Sequence, residues 1–247
     1  MKTYGLIGKK LSHSFSQTYF DEKFESLGIE AKYFLFEVGD VSEVKEIIRS
    51  HPELAGLNVT IPYKEDILSI VDEVDPVAQA VGSVNTLKIY RAGEEPLVHA
   101  FNTDVIGFEK TLSPLTEDRN SLSALVLGTG GAAKAVVYVL QKLRIPFRCV
   151  SRNPVENQLG YSDLTEELIL EHGLIINTTP VGMYPQADVA PEIPYSFLTR
   201  DHILYDLIYN PAETIFLRKG REKGCVTMNG QRMLELQADA SWEIWKD

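Results

Sequence analysis

Directly after the apolar run Ala124-Leu125-Val126-Leu127 stand Gly128-Thr129-Gly130-Gly131, and the apolar helical pattern AAKAVVYVLQKL follows at once. A strand that turns into a helix within so few residues is the start of a βα unit, and such units build parallel sheets covered by helices. Gly128, Gly130 and Ala133 match the spacing GxGxxG/A. Gly128 permits the tight turn, Gly130 removes the side chain that would block a pyrophosphate, and Ala133 lets the helix pack close, so that its free N–H groups face an anion. The plain alternative is a glycine-rich turn that binds nothing; the strand before it and the helix after it favour a dinucleotide.

The same alternation runs along the whole chain. YGLIG, KYFLFEV and LAGLNVTIP read as strands, QTYFDEKFESLG and DVSEVKEIIRS as helices, with Gly28 as a left-handed cap and Pro62 ending the third strand. SVNTLKIY and PLVHAF flank RAGEE as a hairpin, an antiparallel edge on an otherwise parallel sheet. A helix starting at Thr103 or Asp104, followed by the polar stretch SPLTEDRNS, marks a boundary. Beyond it SALVLG, FRCVSR, LIINTTP, HILYDLIY and CVTMNG predict five strands with crossovers, a doubly wound arrangement, and the closing helix QRMLELQADASWEIW could dock on either half. The fold class expected is α/β with two domains: an N-terminal α/β substrate domain, 1–103 plus 231–247, and a Rossmann-type dinucleotide-binding domain, 104–230.

An NAD site would place an acid at the end of the second strand of that domain. Ser151, Arg152 and Asn153 stand there instead, a guanidinium between two short hydrogen-bonding residues, which suits a 2′-phosphate; the expected cofactor is NADP. In the first half, His13-Ser14-Phe15-Ser16, the run from Asn58 to Lys64, Asn85-Thr86 and Asn102-Thr103-Asp104 gather small polar residues at strand ends, where open α/β sheets bind ligands. Singly, each has a structural use: Ser14, Ser16, Asn102 and Asp104 as helix caps, Lys64 on a solvated face. Together they would hold a polyhydroxy acid. The 24 basic and 35 acidic residues leave a net charge of −11, which opposes binding to nucleic acid or to anionic membranes. Cys149 and Cys225 read as reduced thiols, the five histidines show no metal spacing, and no apolar stretch approaches membrane-spanning length, so a cytoplasmic enzyme without metal is expected, monomer or homodimer.

The strings LIGKKLSHSFS, GLNVTIPYK, GSVNTL, FNTD, LGTGGAAKA, NTTPVGM, DLIYNP and NGQRMLELQA stand in the order seen in shikimate dehydrogenases, and the chain resembles that family over nearly its whole length. The resemblance implies NADPH-dependent reduction of 3-dehydroshikimate to shikimate. It implies that Ser14 and Ser16 hold the substrate carboxylate, that Thr60 positions the ring, and that Lys64, Asn85 and Asp104 surround the ring hydroxyls and the reacting carbon. Tyr209 and Gln237 complete the substrate contacts. Gly128, Thr129, Gly130, Gly131 and Ala132 would cradle the pyrophosphate, with Ser151, Arg152 and Asn153 at the adenosine phosphate, and Thr179, Met183 and Gly230 beside the nicotinamide. Hydride transfer to a ketone leaves an alkoxide, so a proton donor is needed; Lys64, oriented by Asp104, is the candidate, alone or as a coupled pair.

The chain departs from the family pattern at Gln17, where proline usually follows the second serine, and at Val105, which replaces a glycine. Pro154, Val155 and Glu156 stand where a second basic residue often follows the arginine, which weakens the preference for NADP without reversing it. The related readings are a quinate/shikimate dehydrogenase able to use NAD, a folate-type dehydrogenase, which would not assemble the two serines with Gln237, and a non-catalytic NADP-binding sensor, against which Lys64 and Asp104 both stand.

Overall fold

Alternating short apolar runs and amphipathic segments become, in the computed structural model, two six-stranded sheets; the structure describes residues 1–11, 14–117 and 121–246. Contacts divide the chain into two units, Met1–Ile106 with Gln237–Asp247, and Gly107–Leu236, with the dividing points inside helices.

The first unit contains β1 (Lys2–Gly8), α1 (Phe15–Ser26), β2 (Ala31–Glu37), α2 (Glu43–Ser50), β3 (Leu54–Val59), β4 (Glu73–Val74), α3 (Pro76–Val81), β5 (Thr86–Tyr90) and β6 (Leu97–Phe101). Its sheet runs β2-β1-β3-β5-β6-β4. β1 pairs in parallel with β2 on one side and β3 on the other, so the chain reverses its direction of winding there, and the loops after β1 and β3 leave the same end of the sheet. β5 and β6 form the expected antiparallel hairpin. It is not the edge, however: the two-residue β4 pairs in parallel with β6 outside it, too short to carry a sequence signal. The register aligns Asn58 with Thr86 and Thr86 with Phe101. The end of β3, the start of β5 and the end of β6 therefore meet at one place.

α4 (Asp104–Thr116) and α8 (Gln231–Lys246) each span a dividing point. α4 continues through Pro114 into what reads as polar linker; Asp118, Arg119 and Asn120 of that stretch lie outside the described residues. The second unit holds β7 (Ala124–Leu127), α5 (Gly131–Lys142), β8 (Phe147–Ser151), β9 (Leu159–Gly160), α6 (Glu166–Glu171), β10 (Leu174–Asn177), β11 (Ile203–Asp206), α7 (Ile215–Glu222) and β12 (Val226–Met228). All strands are parallel, in the order β12-β11-β10-β7-β8-β9, and β7 and β10 flank the reversal. The expected five strands are joined by a sixth, β9, again only two residues long. Among the described residues no helix is long and apolar enough to cross a membrane.

Both faces of the first sheet are covered. One packs Ile7, Leu57 and Val59 against Val44 and Ile48 of α2; the other packs Tyr4, Leu6 and Tyr33 against Phe20 and Phe24 of α1 and Trp242 and Trp245 of α8. The terminal helix thus docks on the first unit. Trp245 stacks on Tyr4 with ring centres 5.0 Å apart, and its Nε1 donates to the Leu87 carbonyl at 2.9 Å. Gly56 makes room for it, since a Cβ there would lie 2.3 Å from Nε1. Gly56→Ala should therefore lower stability by about 1–3 kcal/mol, the usual cost of overpacking, read as a fall in the urea midpoint; an unchanged midpoint would show that the indole shifts freely.

Candidate active site

The loops at the joined strand ends of the first unit converge on Lys64 and Asp104. Lys64 Nζ donates to Asp104 Oδ2 at 2.6 Å, with the side chains 17% and 9% exposed. Lys64 is placed by its backbone, whose carbonyl accepts from Val84 N at 2.7 Å, which ties it to the segment leading into Asn85. Asp104 opens α4, where a negative charge is favoured by the helix dipole. Asn102 does the capping, its Oδ1 accepting from Val105 N at 3.2 Å, and that leaves the Asp104 carboxylate to the lysine.

Asn85, 2% exposed, orients the carboxylate. Its Nδ2 donates to Asp104 Oδ1 and to Thr103 Oγ1, both at 2.9 Å, and to Gln237 Oε1 at 3.2 Å, while its Oδ1 accepts from Thr103 N at 2.7 Å. Behind it lies a seam in which Asn58 and Thr86, already visible as polar residues at strand ends, pair through Ser241, which sequence reasoning missed. Ser241 Oγ, on α8 one turn beyond Gln237, lies within hydrogen-bond reach of Asn58 Nδ2 (2.9 Å), Thr86 Oγ1 (2.8 Å) and Thr103 Oγ1 (3.1 Å). Asn58 Oδ1 in turn accepts from the buried Tyr33 phenol at 2.8 Å. Burial holds that phenol well above its ordinary pKa, and a hydrogen bond from Ser16 opposes the shift. The available signals were weak: an asparagine inside the apolar strand LAGLNV, and a serine four residues after Gln237.

Ser14 stands at the N-cap position of α1 in extended backbone but makes no side-chain capping bond, so capping does not account for its hydroxyl. Thr60 N donates to the Ile7 carbonyl at 2.9 Å, which ties the start of the loop after β3 to the end of β1. Ser16, Asn85, Lys64, Asp104 and Gln237 are thus linked in one hydrogen-bonded system, with Ser14 and Thr60 on the flanking loops. His13 lies outside the described residues. Among those described, no three His, Cys, Asp or Glu side chains gather as a metal site.

In the second unit, Gly128 has φ +109°, and a Cβ there would meet Thr178 Oγ1 at 2.6 Å, so its glycine is required by the fold itself. Gly130 differs. Its backbone is extended, and a Cβ would meet nothing within 4 Å. The protein alone gives no reason for glycine at that point, beside the N–H groups that open α5 at Gly131, Ala132 and Ala133; a bound phosphate would supply one. Thr129 between the glycines is exposed. At the end of β8, Ser151 Oγ accepts from Asn153 N at 3.2 Å, and the exposed Arg152 has no ion-pair partner among the described residues. Thr179 donates through Oγ1 to Asn177 Oδ1 at 2.6 Å, and Met183 is exposed in the same loop after β10.

Gly230 has a different explanation: a Cβ there would lie 2.0 Å from the Leu207 carbonyl, so backbone packing alone demands glycine. Tyr209 belongs to this second unit, apart in the chain from the other expected substrate residues, and is half-buried. Asp206, which closes β11, was not singled out from sequence. It is fully buried and accepts from Thr214 Oγ1 (2.6 Å), Asn177 Nδ2 (3.0 Å) and Ile208 N (3.1 Å). Burial pushes its carboxyl up to about 6, against the hydrogen bonds. A free chain releases this proton near pH 3.9. Between those values the folded protein holds a proton that the unfolded chain has lost, so this group's contribution to stability falls as pH rises from about 4 to about 6, by roughly 3 kcal/mol. Wild type should lose about that much relative to Asp206→Asn between pH 4 and pH 7 in urea titrations; a pH-independent difference would contradict the shift.

A family model described as the shikimate dehydrogenase substrate binding domain matches residues 6–87. The chain is 37% identical to the shikimate dehydrogenase (NADP(+)) of Methanococcus maripaludis, over 99% of this chain and 91% of that protein. Among solved structures, shikimate dehydrogenase 1 from Peptoclostridium difficile superposes with a TM-score of 0.88 at 36% identity, covering 100% of this chain and 92% of that one. The shikimate 5-dehydrogenase of Thermus thermophilus, solved in complex with NADP(H) and shikimate, gives a TM-score of 0.84 at 29% identity, covering 99% and 93%. With motifs, fold and near-complete alignment in agreement, the chain belongs to the shikimate dehydrogenase family.

Proposed function

We propose that this chain catalyses the reversible NADPH-dependent reduction of 3-dehydroshikimate to shikimate, with Lys64 and Asp104 as its acid/base pair. The observation that carries the reading is the 2.6 Å contact between these two side chains, held in place by Asn85 and largely withdrawn from water. NADPH, when bound, supplies the hydride; everything else falls to the protein. As the ketone carbon is reduced its oxygen gains negative charge, and the Lys64 ammonium stabilises that charge and hands over a proton. Asp104 fixes the lysine in place, because its own second oxygen is held by Asn85. In the reverse direction Lys64 takes the hydroxyl proton.

Residues 1–103 with 231–247 form the substrate domain in this reading and 104–230 the cofactor domain. Ser14 and Ser16 take the substrate carboxylate, Thr60, Asn85 and Gln237 its ring hydroxyls, and Tyr209 joins them on the family resemblance alone. The open space at Gly130 and the free N–H groups of α5 support a pyrophosphate there, cradled by residues 128–132. Ser151, the exposed Arg152 and Asn153 suit a 2′-phosphate, with Thr179, Met183 and Gly230 on the nicotinamide side. We place the protein in the cytoplasm: Cys149 and Cys225 are both free thiols, the state a reducing compartment maintains.

Reduced-nicotinamide absorbance should grow when the protein meets shikimate and NADP, and much less with NAD or with quinate. Faster growth with quinate or NAD would assign the broader quinate/shikimate specificity, and silence with NADP still bound would assign a sensor or an enzyme of another hydroxy acid. Lys64→Ala should lower kcat by roughly 10²–10⁴-fold, the scale of general acid catalysis, with little change in the KM for shikimate. Near-normal turnover would remove Lys64 from the mechanism.

A further inference from the structure

Asp206 closes a parallel strand beside β10 with no positive charge among its donors: all three are neutral, from Thr214, Asn177 and Ile208. A carboxylate only accepts hydrogen bonds. It can face the amide end of Asn177 and never the carbonyl end, so the Asn177 side chain is held in one of its two orientations. The carbonyl end is thereby turned toward Thr179, where Oδ1 accepts from Thr179 N at 3.1 Å and from Thr179 Oγ1 at 2.6 Å. Thr179 Oγ1 then accepts from Val181 N at 3.2 Å, and Asn177 Nδ2 also reaches the Val181 carbonyl at 3.3 Å. One buried charge therefore sets the shape of the turn from Asn177 to Val181, which leads into the exposed Met183.

We propose that Asp206 is a positioning residue for the nicotinamide half of the cofactor, acting through Asn177 on the turn that presents Thr179 and Met183. The inference rests on the cofactor reading given above, in which those two residues lie on the nicotinamide side. A residue needed only to finish a strand and hold Thr214, the α7 cap, would not have to be ionised. Threonine or asparagine would accept the same backbone N–H without the cost of a buried, unpaired charge, and neither would hold the Asn177 amide in one orientation. Asp206 also accepts from Ile208 N, whose own carbonyl takes the Gly230 N–H at 2.9 Å. The segment where Gly230 packs is thus anchored to the same carboxylate.

The test compares two ligands on the purified full-length protein: NADPH, followed by its fluorescence, and 2′,5′-ADP, which carries the adenosine phosphates without the nicotinamide, followed by calorimetry. Asp206→Asn should weaken NADPH about tenfold, the scale of one charge-assisted hydrogen bond, and leave 2′,5′-ADP within about twofold. Asn177→Ala should give the same selective loss from the other side of the bond. Thr214→Val, which removes the other side-chain donor and the α7 cap, should lower Tm while NADPH affinity holds. Equal losses of both ligands in Asp206→Asn, no loss of either, or a matching NADPH-selective loss in Thr214→Val would each overturn the proposal. Failure of the wild type to bind NADPH would instead bring down the cofactor reading, and this inference with it.

Discussion

A primary amide sealed from water must satisfy two N–H groups and a carbonyl within the protein, and Asn85 does so at the one point where β3, β5, β6 and α4 come together. Its partners are Asp104, Thr103 and Gln237, drawn from elements far apart in sequence. Each unmade bond there would cost roughly 1–3 kcal/mol, so the network tolerates one arrangement and few others. Asn58, Thr86 and Ser241 extend it, and the extension explains how α8, arriving from the far end of the chain, sets Gln237 next to residues of the first hundred. The Lys64 and Asp104 pair depends on this. A lysine and an aspartate so withdrawn from water gain little from attraction alone once desolvation is counted; the further bond from Asn85 is what makes the geometry single-valued.

The second unit works by a different constraint, the direction in which backbone groups point. Parallel strands send their carboxyl ends, and the N-termini of the helices that follow, to one edge of the sheet. Gly128 is needed to turn the chain there, whereas Gly130 answers no demand of the protein itself. That contrast separates a glycine that shapes the fold from one that leaves room for something else. Asp206 is the counterpart among charged residues, a buried carboxylate whose three donors are all loop or strand-end groups on the same edge.

Much of this was legible in the sequence because it rests on local rules. Gly128, Gly130 and Ala133 announce their turn by spacing, and Gly28, at φ +64°, is the left-handed cap its position suggests. The strands of four residues or more were visible as apolar runs. β4 and β9, at two residues each, were not, because no periodicity exists over such a length. α3 escaped notice as well, since Pro76 reads as a breaker until its place at the first helical position is known. At the site, Lys64, Asn85 and Asp104 stood out as polar groups at strand ends. Asn58 and Thr86 stood out with them but without a role, and Ser241 did not stand out at all, because their polarity is used up inside the protein, and only long-range pairing reveals which buried oxygen meets which amide. Gly230 shows the converse: a motif glycine whose immediate reason is the Leu207 backbone.

The central claim is that Lys64 and Asp104 act as one unit. A double-mutant cycle on kcat, using Lys64→Met, Asp104→Asn and the two combined, tests it directly. A coupled pair predicts that the double variant is no slower than the worse single variant, within about threefold. Losses that multiply would mean that the two side chains act independently, and would contradict the account.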